Sequence, residues 1–167
     1  LQVLCKDQLK SKQIDKIIIW SSQELLKKIP HHKKIKPKTN LFLNKNIFFR
    51  LFWQFFILPV SLKRNKCDVL LLPGASYVLT SIPKVSICQN LLPFDYYEIK
   101  RFGLSYLTLK LLILRFLQTL SFSSSDGIIF LSKFSKKFLT KIVNIKSKKT
   151  AVIYHGVNEE YFQKSKA

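Results

Sequence analysis

The stretch that most constrains the fold of this chain runs from Ser123 to Phe162, where two apolar runs flank an amphipathic segment. The first run, residues 127–131, is short and continuous, as expected of a buried strand. Ser132 follows it and predicts a helix start, because a serine hydroxyl can accept a hydrogen bond from an amide of the first turn. The second apolar run covers residues 151–154. A strand, a helix and a strand in this order form the repeating unit of a parallel α/β sheet.

The rest of the chain supplies further strand and helix patterns. Between the two runs above, Phe134, Phe138 and Ile142 recur at helical spacing among lysines, which predicts a helix. Apolar runs near residues 15–20, 67–72 and 84–88 predict three more strands. The sequence therefore predicts an α/β fold in which helices separate the strands of a parallel sheet, a Rossmann-like domain.

Two other segments are less regular. Residues 97–122 predict one long helix, bent at Gly103. Residues 27–38 are half lysine and include a pair of histidines, so we expect a solvated loop there. The histidines have no Cys, Asp or Glu at ligand spacing, and the three cysteines are far apart, so we expect neither a metal site nor a disulfide.

Three pieces of this sequence resemble the N-terminal domain of family 4 glycosyltransferases. They are CQNLLPFD (88–95), GIIFLSKFSKKFL (127–139) and VIYHGVNEEYF (152–162), in the order in which that family has them. The resemblance implies half of a GT-B fold, with a Rossmann-like glycosyltransferase domain over residues 1–162 and the start of an interdomain linker at 163–167. No glycine occurs before Gly74, so we expect the family's first strand and glycine-rich loop to be missing or to have diverged.

The resemblance also implies a function. It predicts the acceptor-binding domain of a retaining glycosyltransferase of the hexosyltransferase type, which moves a sugar from a nucleotide diphosphate sugar to a polysaccharide or glycolipid acceptor. The implied partners are a sugar or lipid-linked acceptor and a C-terminal donor-binding domain. The nucleotide sugar would belong to that second domain, so no cofactor is expected on this chain, and the chain alone is expected to be inactive.

Candidate residues for the acceptor side or the cleft come from strand ends and from the resemblance. Gly74 and the amides Gln89 and Asn90 each follow a predicted strand, at the edge where open α/β sheets bind ligands. An ordinary turn at Gly74 and a turn cap by Asn90 before Pro93 are the structural alternatives. The resemblance adds four residues, which are Ser132, His155, Gly156 and Asn158. No catalytic residue is assigned.

The charge of the chain leaves a second class of function open. Its 29 basic residues against 9 acidic ones give a formal net charge of +20, but only 4 of the 29 are Arg. A nucleic-acid reader is expected to use more Arg, because its planar fork pairs with phosphates and base edges. An AT-rich coding sequence produces the same lysine excess. The alternative is a non-enzymatic basic module that binds anionic lipid or nucleic acid, and of these two ligands nucleic acid is disfavoured.

An aromatic segment, residues 40–59, bears on membrane contact. Asn44 predicts the start of a helix that ends at Pro59, and about 14 residues are too few to span a bilayer, which needs roughly 20. Such a helix is typical either of a core element or of an interfacial membrane helix, and we expect a cytoplasmic protein that in the second case lies at the inner face of the plasma membrane. The membrane-contact candidates are Phe52, Trp53, Phe56, Lys63, Arg64 and Lys66.

Overall fold

The computed structural model describes residues 14–29, 31–145, 149–154 and 156. The chain divides into two compact units, Leu1–Val60 and Ser61–Ala167. The second unit contains all the candidate acceptor-side residues, whereas the aromatic segment lies in the first.

In the first unit, two short strands pair in parallel. Strand β1 is Ile17–Trp20, helix α1 is Gln23–Leu26, and strand β2 is Ile35–Lys38, paired with β1 from Ile17 opposite Ile35 to Trp20 opposite Lys38. The prediction of a solvated loop over residues 27–38 is therefore wrong at its end. The strand escapes a sequence reading because only Ile35 is buried, and the two lysines and Pro37 that follow are exposed.

The aromatic segment forms a longer helix than the sequence predicted. A 3₁₀ turn, Leu41–Asn44, precedes helix α2, Ile47–Phe52, which continues through a π-helical turn at Trp53–Ile57 into α3, Leu58–Arg64. The predicted start at Asn44 and the predicted end at Pro59 are both wrong. A proline inside a helix has no amide to donate and crowds the preceding turn. The wider π turn directly before Pro59 is where the helix absorbs this mismatch.

The second unit is built on a four-stranded sheet. Its strands are β3 (Leu70–Pro73), β4 (Lys84–Cys88), β5 (Gly127–Phe130) and β6 (Lys149–Val152), and they are hydrogen-bonded in the order β3-β4-β5-β6. All three pairings are parallel. The predicted α/β class with a parallel sheet is thus confirmed, in an arrangement compatible with a Rossmann-like fold.

Two of the three connections in this sheet contain helices. Helices α4 (Tyr96–Arg101) and α5 (Tyr106–Ser124) connect β4 to β5, and α6 (Lys133–Ile142) connects β5 to β6. The predicted single helix over 97–122 is divided at Gly103, whose φ of 56° is a left-handed conformation that suits glycine. The connection from β3 to β4, residues 74–83, has no helix, so the expectation that helices separate all the strands is wrong there.

One face of the sheet carries most of the core. In the register that aligns Leu72, Ser86 and Ile128, all three side chains are buried, whereas Leu71, one residue away and on the opposite face, is exposed. The core cluster contains apolar residues from the strands, α5, α6 and the loops that follow the strands. Its members are Ala75, Cys88, Phe94, Phe122, Ile128, Phe130, Leu139, Val143 and Ile145.

Candidate functional site

Five of the predicted site positions follow the carboxyl ends of four adjacent strands. Gly74 comes directly after β3, Gln89 and Asn90 come after β4, Ser132 lies two residues after β5, and Gly156 lies four residues after β6. Because the four strands are parallel neighbours, their carboxyl ends meet at one edge of the sheet. In open α/β sheets this is the edge where ligands bind.

Gly74 and Gln89 lie close together at this edge. A Cβ atom added to Gly74 would lie 3.9 Å from Oε1 of Gln89, and the Gln89 side chain is exposed. Gly74 has a φ of +77°, a backbone conformation that residues other than glycine rarely adopt. Ala75, which follows, is also left-handed, with a φ of 52°, and is buried. A backbone without a side chain therefore lies beside an exposed amide.

The oxygen of Asn90 has a structural role. Its Oδ1 accepts a hydrogen bond of 2.9 Å from the backbone amide of Leu92, within the turn that leads to Pro93. This is the turn-cap alternative, and it explains the position of Asn90 without a ligand. The Asn90 side chain is exposed.

Ser132 begins helix α6. Its Oγ accepts a hydrogen bond of 3.0 Å from the backbone amide of Ser135, and Oγ of Ser135 accepts one of 3.2 Å from the amide of Ser132. This reciprocal pair is a capping box, in which each hydroxyl satisfies an amide of the first turn. The predicted helix start is confirmed, and the Ser132 hydroxyl is engaged in it.

The third family-like piece is only partly described. Gly156 is exposed, and a Cβ atom built on it would have no neighbour within 4 Å. His155 and Asn158 lie outside the described residues, so their predicted place at the border of a cleft stays a prediction.

A buried polar network lies behind Gly74 and was missed by the sequence analysis. Nε2 of Gln118, on α5, donates a hydrogen bond of 3.2 Å to the carbonyl of Gly74. Ser121 donates to the carbonyl of Ser76 at 3.2 Å, and its Oγ also lies 3.0 Å from that of Ser86 on β4. These bonds hold the helix-free connection between β3 and β4 against α5. The sequence offered one signal for this network: the polar residues at 118, 121 and 125 are three and four apart and therefore share one face of a helix.

Two details of this network concern unusual burial. Among the described residues, Oε1 of Gln118 is a buried acceptor without a hydrogen-bond partner. Lys84, at the start of β4, is buried as well, and its Nζ donates to the carbonyl of Val78 and to Oγ of Ser124, each at 3.3 Å. Its Nζ also lies 5.9 Å from the ring centre of Tyr77. The Lys84 side chain thus contacts residues 77 and 78 and helps to hold the same connection in place.

The cysteines and acidic residues of the described ranges are of the residue types that form reactive and metal sites. Burial raises the pKa of the Cys88 thiol to about 11, so this group is protonated at neutral pH. Cys67 and Cys88 are both in the reduced thiol form, and Cys5 lies outside the described residues. Within the described ranges, no three His, Cys, Asp or Glu side chains come together as a metal site.

The predicted membrane-contact residues differ in exposure. Phe52 and Phe56 are 48% and 64% exposed, and Lys63, Arg64 and Lys66 are exposed as well. Trp53 is 5% exposed, so its side chain is not at the surface and the prediction for it is wrong. It belongs to the π turn Trp53–Ile57, in which it is the buried residue. In the part of the chain that the structure describes, no helix is long and apolar enough to cross a bilayer.

Comparison with known proteins gave no match to a family model, to a curated protein or to a solved structure.

Proposed function

We propose that this chain is the acceptor-binding domain of a retaining glycosyltransferase of the GT-B type. The observation that carries the proposal is the placement of Gly74, Gln89, Asn90, Ser132 and Gly156 after the carboxyl ends of four adjacent parallel strands. Four of these positions come from the three family-like pieces and Gly74 follows a further strand, and an acceptor site needs them at one edge.

The chemistry of this edge suits a sugar hydroxyl. The Gln89 amide both donates and accepts hydrogen bonds, as hydroxyl groups do. The bare backbone at Gly74 lets a sugar ring approach the sheet edge closely. In the proposed enzyme a second domain binds the nucleotide sugar, and His155, Gly156 and Asn158 border the cleft between the two domains. Transfer breaks the bond between the anomeric carbon and the diphosphate oxygen and forms one to the acceptor oxygen, which loses its proton.

Ligand binding by the purified chain tests this proposal. We expect saturation-transfer NMR to detect binding of octyl glycosides, which stand in for a glycolipid acceptor, and no binding or turnover of UDP- or GDP-sugars. Gln89→Ala should weaken glycoside binding about tenfold, as loss of a positioned polar contact does. Gln23→Ala removes an equally exposed amide from α1 and should have no effect. Sustained sugar transfer by the chain, or equal binding by both variants, would contradict the proposal.

A second candidate property, attachment to an anionic membrane surface, has its own support. Phe48, Phe52 and Phe56 are spaced four apart along the helix and are all exposed, with Phe48 at 77%. An exposed aromatic stripe on a helix, followed by basic residues such as Lys63 and Arg64, is typical of an interfacial helix. The net charge of +20 adds attraction to anionic lipid.

Vesicle flotation tests the membrane candidate. We expect more protein on vesicles with phosphatidylglycerol than on vesicles of phosphatidylcholine alone, and a marked loss for the double variant Phe52→Ser, Phe56→Ser. The control is Phe134→Ser, which removes an exposed phenylalanine from α6. Equal partitioning to both kinds of vesicle would refute the candidate. Vesicle binding without any glycoside binding would favour the basic lipid-binding module over the glycosyltransferase.

A further inference from the structure

The outward face of helix α5 carries a row of apolar side chains that are half or more exposed. Leu109, Ile113 and Phe116 are 57%, 50% and 64% exposed, and Tyr106 at the start of the helix is exposed too. Exposed apolar side chains scattered singly are normal on protein surfaces, whereas a contiguous row of them marks an interaction site. The row on α5 is contiguous, because its members are three or four residues apart on one helix.

The spacing of this row indicates what kind of surface covers it. Tyr106, Leu109, Ile113 and Phe116 are separated by three, four and three residues, which is the spacing of the a and d positions of a heptad. Leu112, 48% exposed, lies on the same side, three residues after Leu109 and four before Phe116. We call the row of four the seam, and its spacing fits one partner helix. On the opposite face of α5, Leu111 and Phe122 are buried and Phe122 belongs to the core cluster, so the helix does not present the broad polar face of a helix that lies on a membrane.

Charge indicates the chemistry of the partner. Helix α5 carries Lys110 and Arg115 and no acidic residue, and Lys110 lies beside the seam. A second copy of this chain would bring another Lys110 and another +20 charges to the same contact. A partner helix with acidic residues beside its apolar row carries the opposite charge and is attracted to α5 instead. We propose that α5 is a docking surface for an acidic amphipathic helix of another protein, seated on Tyr106, Leu109, Ile113 and Phe116.

A pair of synthetic helices tests the proposal with the full chain. The first peptide, about three heptads long, has Leu at positions a and d and Glu at e and g; the second has Lys in place of Glu. We expect fluorescence anisotropy to show that the Glu peptide binds at least about tenfold more tightly than the Lys peptide, and that added salt weakens its binding. The double variant Ile113→Gln, Phe116→Gln should weaken binding of the Glu peptide about tenfold or more, because it removes two central apolar anchors.

The control is Phe134→Gln, on α6, which removes a phenylalanine that is exposed to a similar degree. Both variants replace exposed residues, so circular dichroism and urea unfolding should match the unsubstituted chain. Equal binding of the two peptides, or full binding by the seam variant, overturns the proposal. So does a dimer in sedimentation that the seam variant abolishes, which would make a second copy the occupant. Loss of vesicle binding by the seam variant would likewise overturn it in favour of a membrane surface.

Discussion

The inward and outward faces of helix α5 differ in an unexpected direction. Inward, Gln118 and Ser121 are buried and hydrogen-bonded to the backbone of the connection between β3 and β4. Outward, Ile113 and Phe116 are apolar and exposed. Polar side chains usually face solvent and apolar side chains usually face the core. Helix α5 reverses this rule at these positions, so each reversal needs its own explanation.

The inward face shows what a parallel crossover without a helix needs. Parallel strands are usually joined by a dozen or more residues, most often by a helix that satisfies its own backbone groups. Residues 74–83 form no such helix, so their buried carbonyls need donors from elsewhere. Gln118, Ser121 and Lys84 supply them at Gly74, Ser76 and Val78. The polar face of α5 thus shapes the loop that carries the proposed acceptor site.

The largest expected effect separates two phenylalanines on the same helix. Phe122→Ala should lower the free energy of unfolding by about 3–5 kcal/mol, because Phe122 is fully buried in the core cluster and its loss leaves a cavity. Phe116→Ala should change it by no more than about 0.5 kcal/mol, because the ring is exposed. Urea unfolding measures both. Equal losses would mean that the outward face is not a free surface.

A smaller difference is expected between two serines. Ser121→Ala should cost about 1–3 kcal/mol, because it leaves the carbonyl of Ser76 and the hydroxyl of Ser86 each without one buried partner. Ser123→Ala, on the exposed side, should change stability by less than about 0.5 kcal/mol. The same unfolding measurement applies. A neutral Ser121→Ala would show that the connection between β3 and β4 does not depend on α5.

The smallest signal concerns Cys88, which packs in the same core as Phe122. At pH 8 its thiol should stay unmodified by iodoacetamide while Cys67 reacts, because Cys88 is buried and its pKa is raised to about 11. Mass spectrometry of the alkylated peptides measures this. Since the folded pKa lies above the ordinary value of 9.0, the stability from the buried thiol is complete below pH 9 and is lost as the pH rises through 11. Alkylation of both cysteines at one rate would contradict this.

Local signals predicted some elements well and others poorly. Helix α6 was predictable because Ser132 indicates where it begins and the phenylalanines among lysines recur at helical spacing. Strand β2 was not predictable. It forms by pairing with β1, and Ile35 is its only buried residue, so lysines on either side give the segment the pattern of a loop. The end of the helix was wrongly predicted at Pro59 because a π turn accommodates the proline. No residue type indicates such a turn in a sequence.

The candidate site divides in the same way. Gly74 and Gln89 were predictable, because each follows an apolar run and strand ends meet in a parallel sheet. The contribution of Gln118 was not, because its partner, the carbonyl of Gly74, is 44 residues away in sequence. The structural role of Asn90 was one of two alternatives from the sequence, and only its hydrogen bond to Leu92 shows it directly.

Amide chemical-shift mapping with octyl glycosides, and with octanol as the control for the alkyl chain, shows whether the carboxyl edge of the sheet binds an acceptor. We expect saturable shifts from a glycoside that are largest at Gly74, Gln89, Asn90 and Gly156 and that octanol does not reproduce. Shifts centred on Leu109 and Ile113 of α5, or equal shifts from octanol, would contradict it.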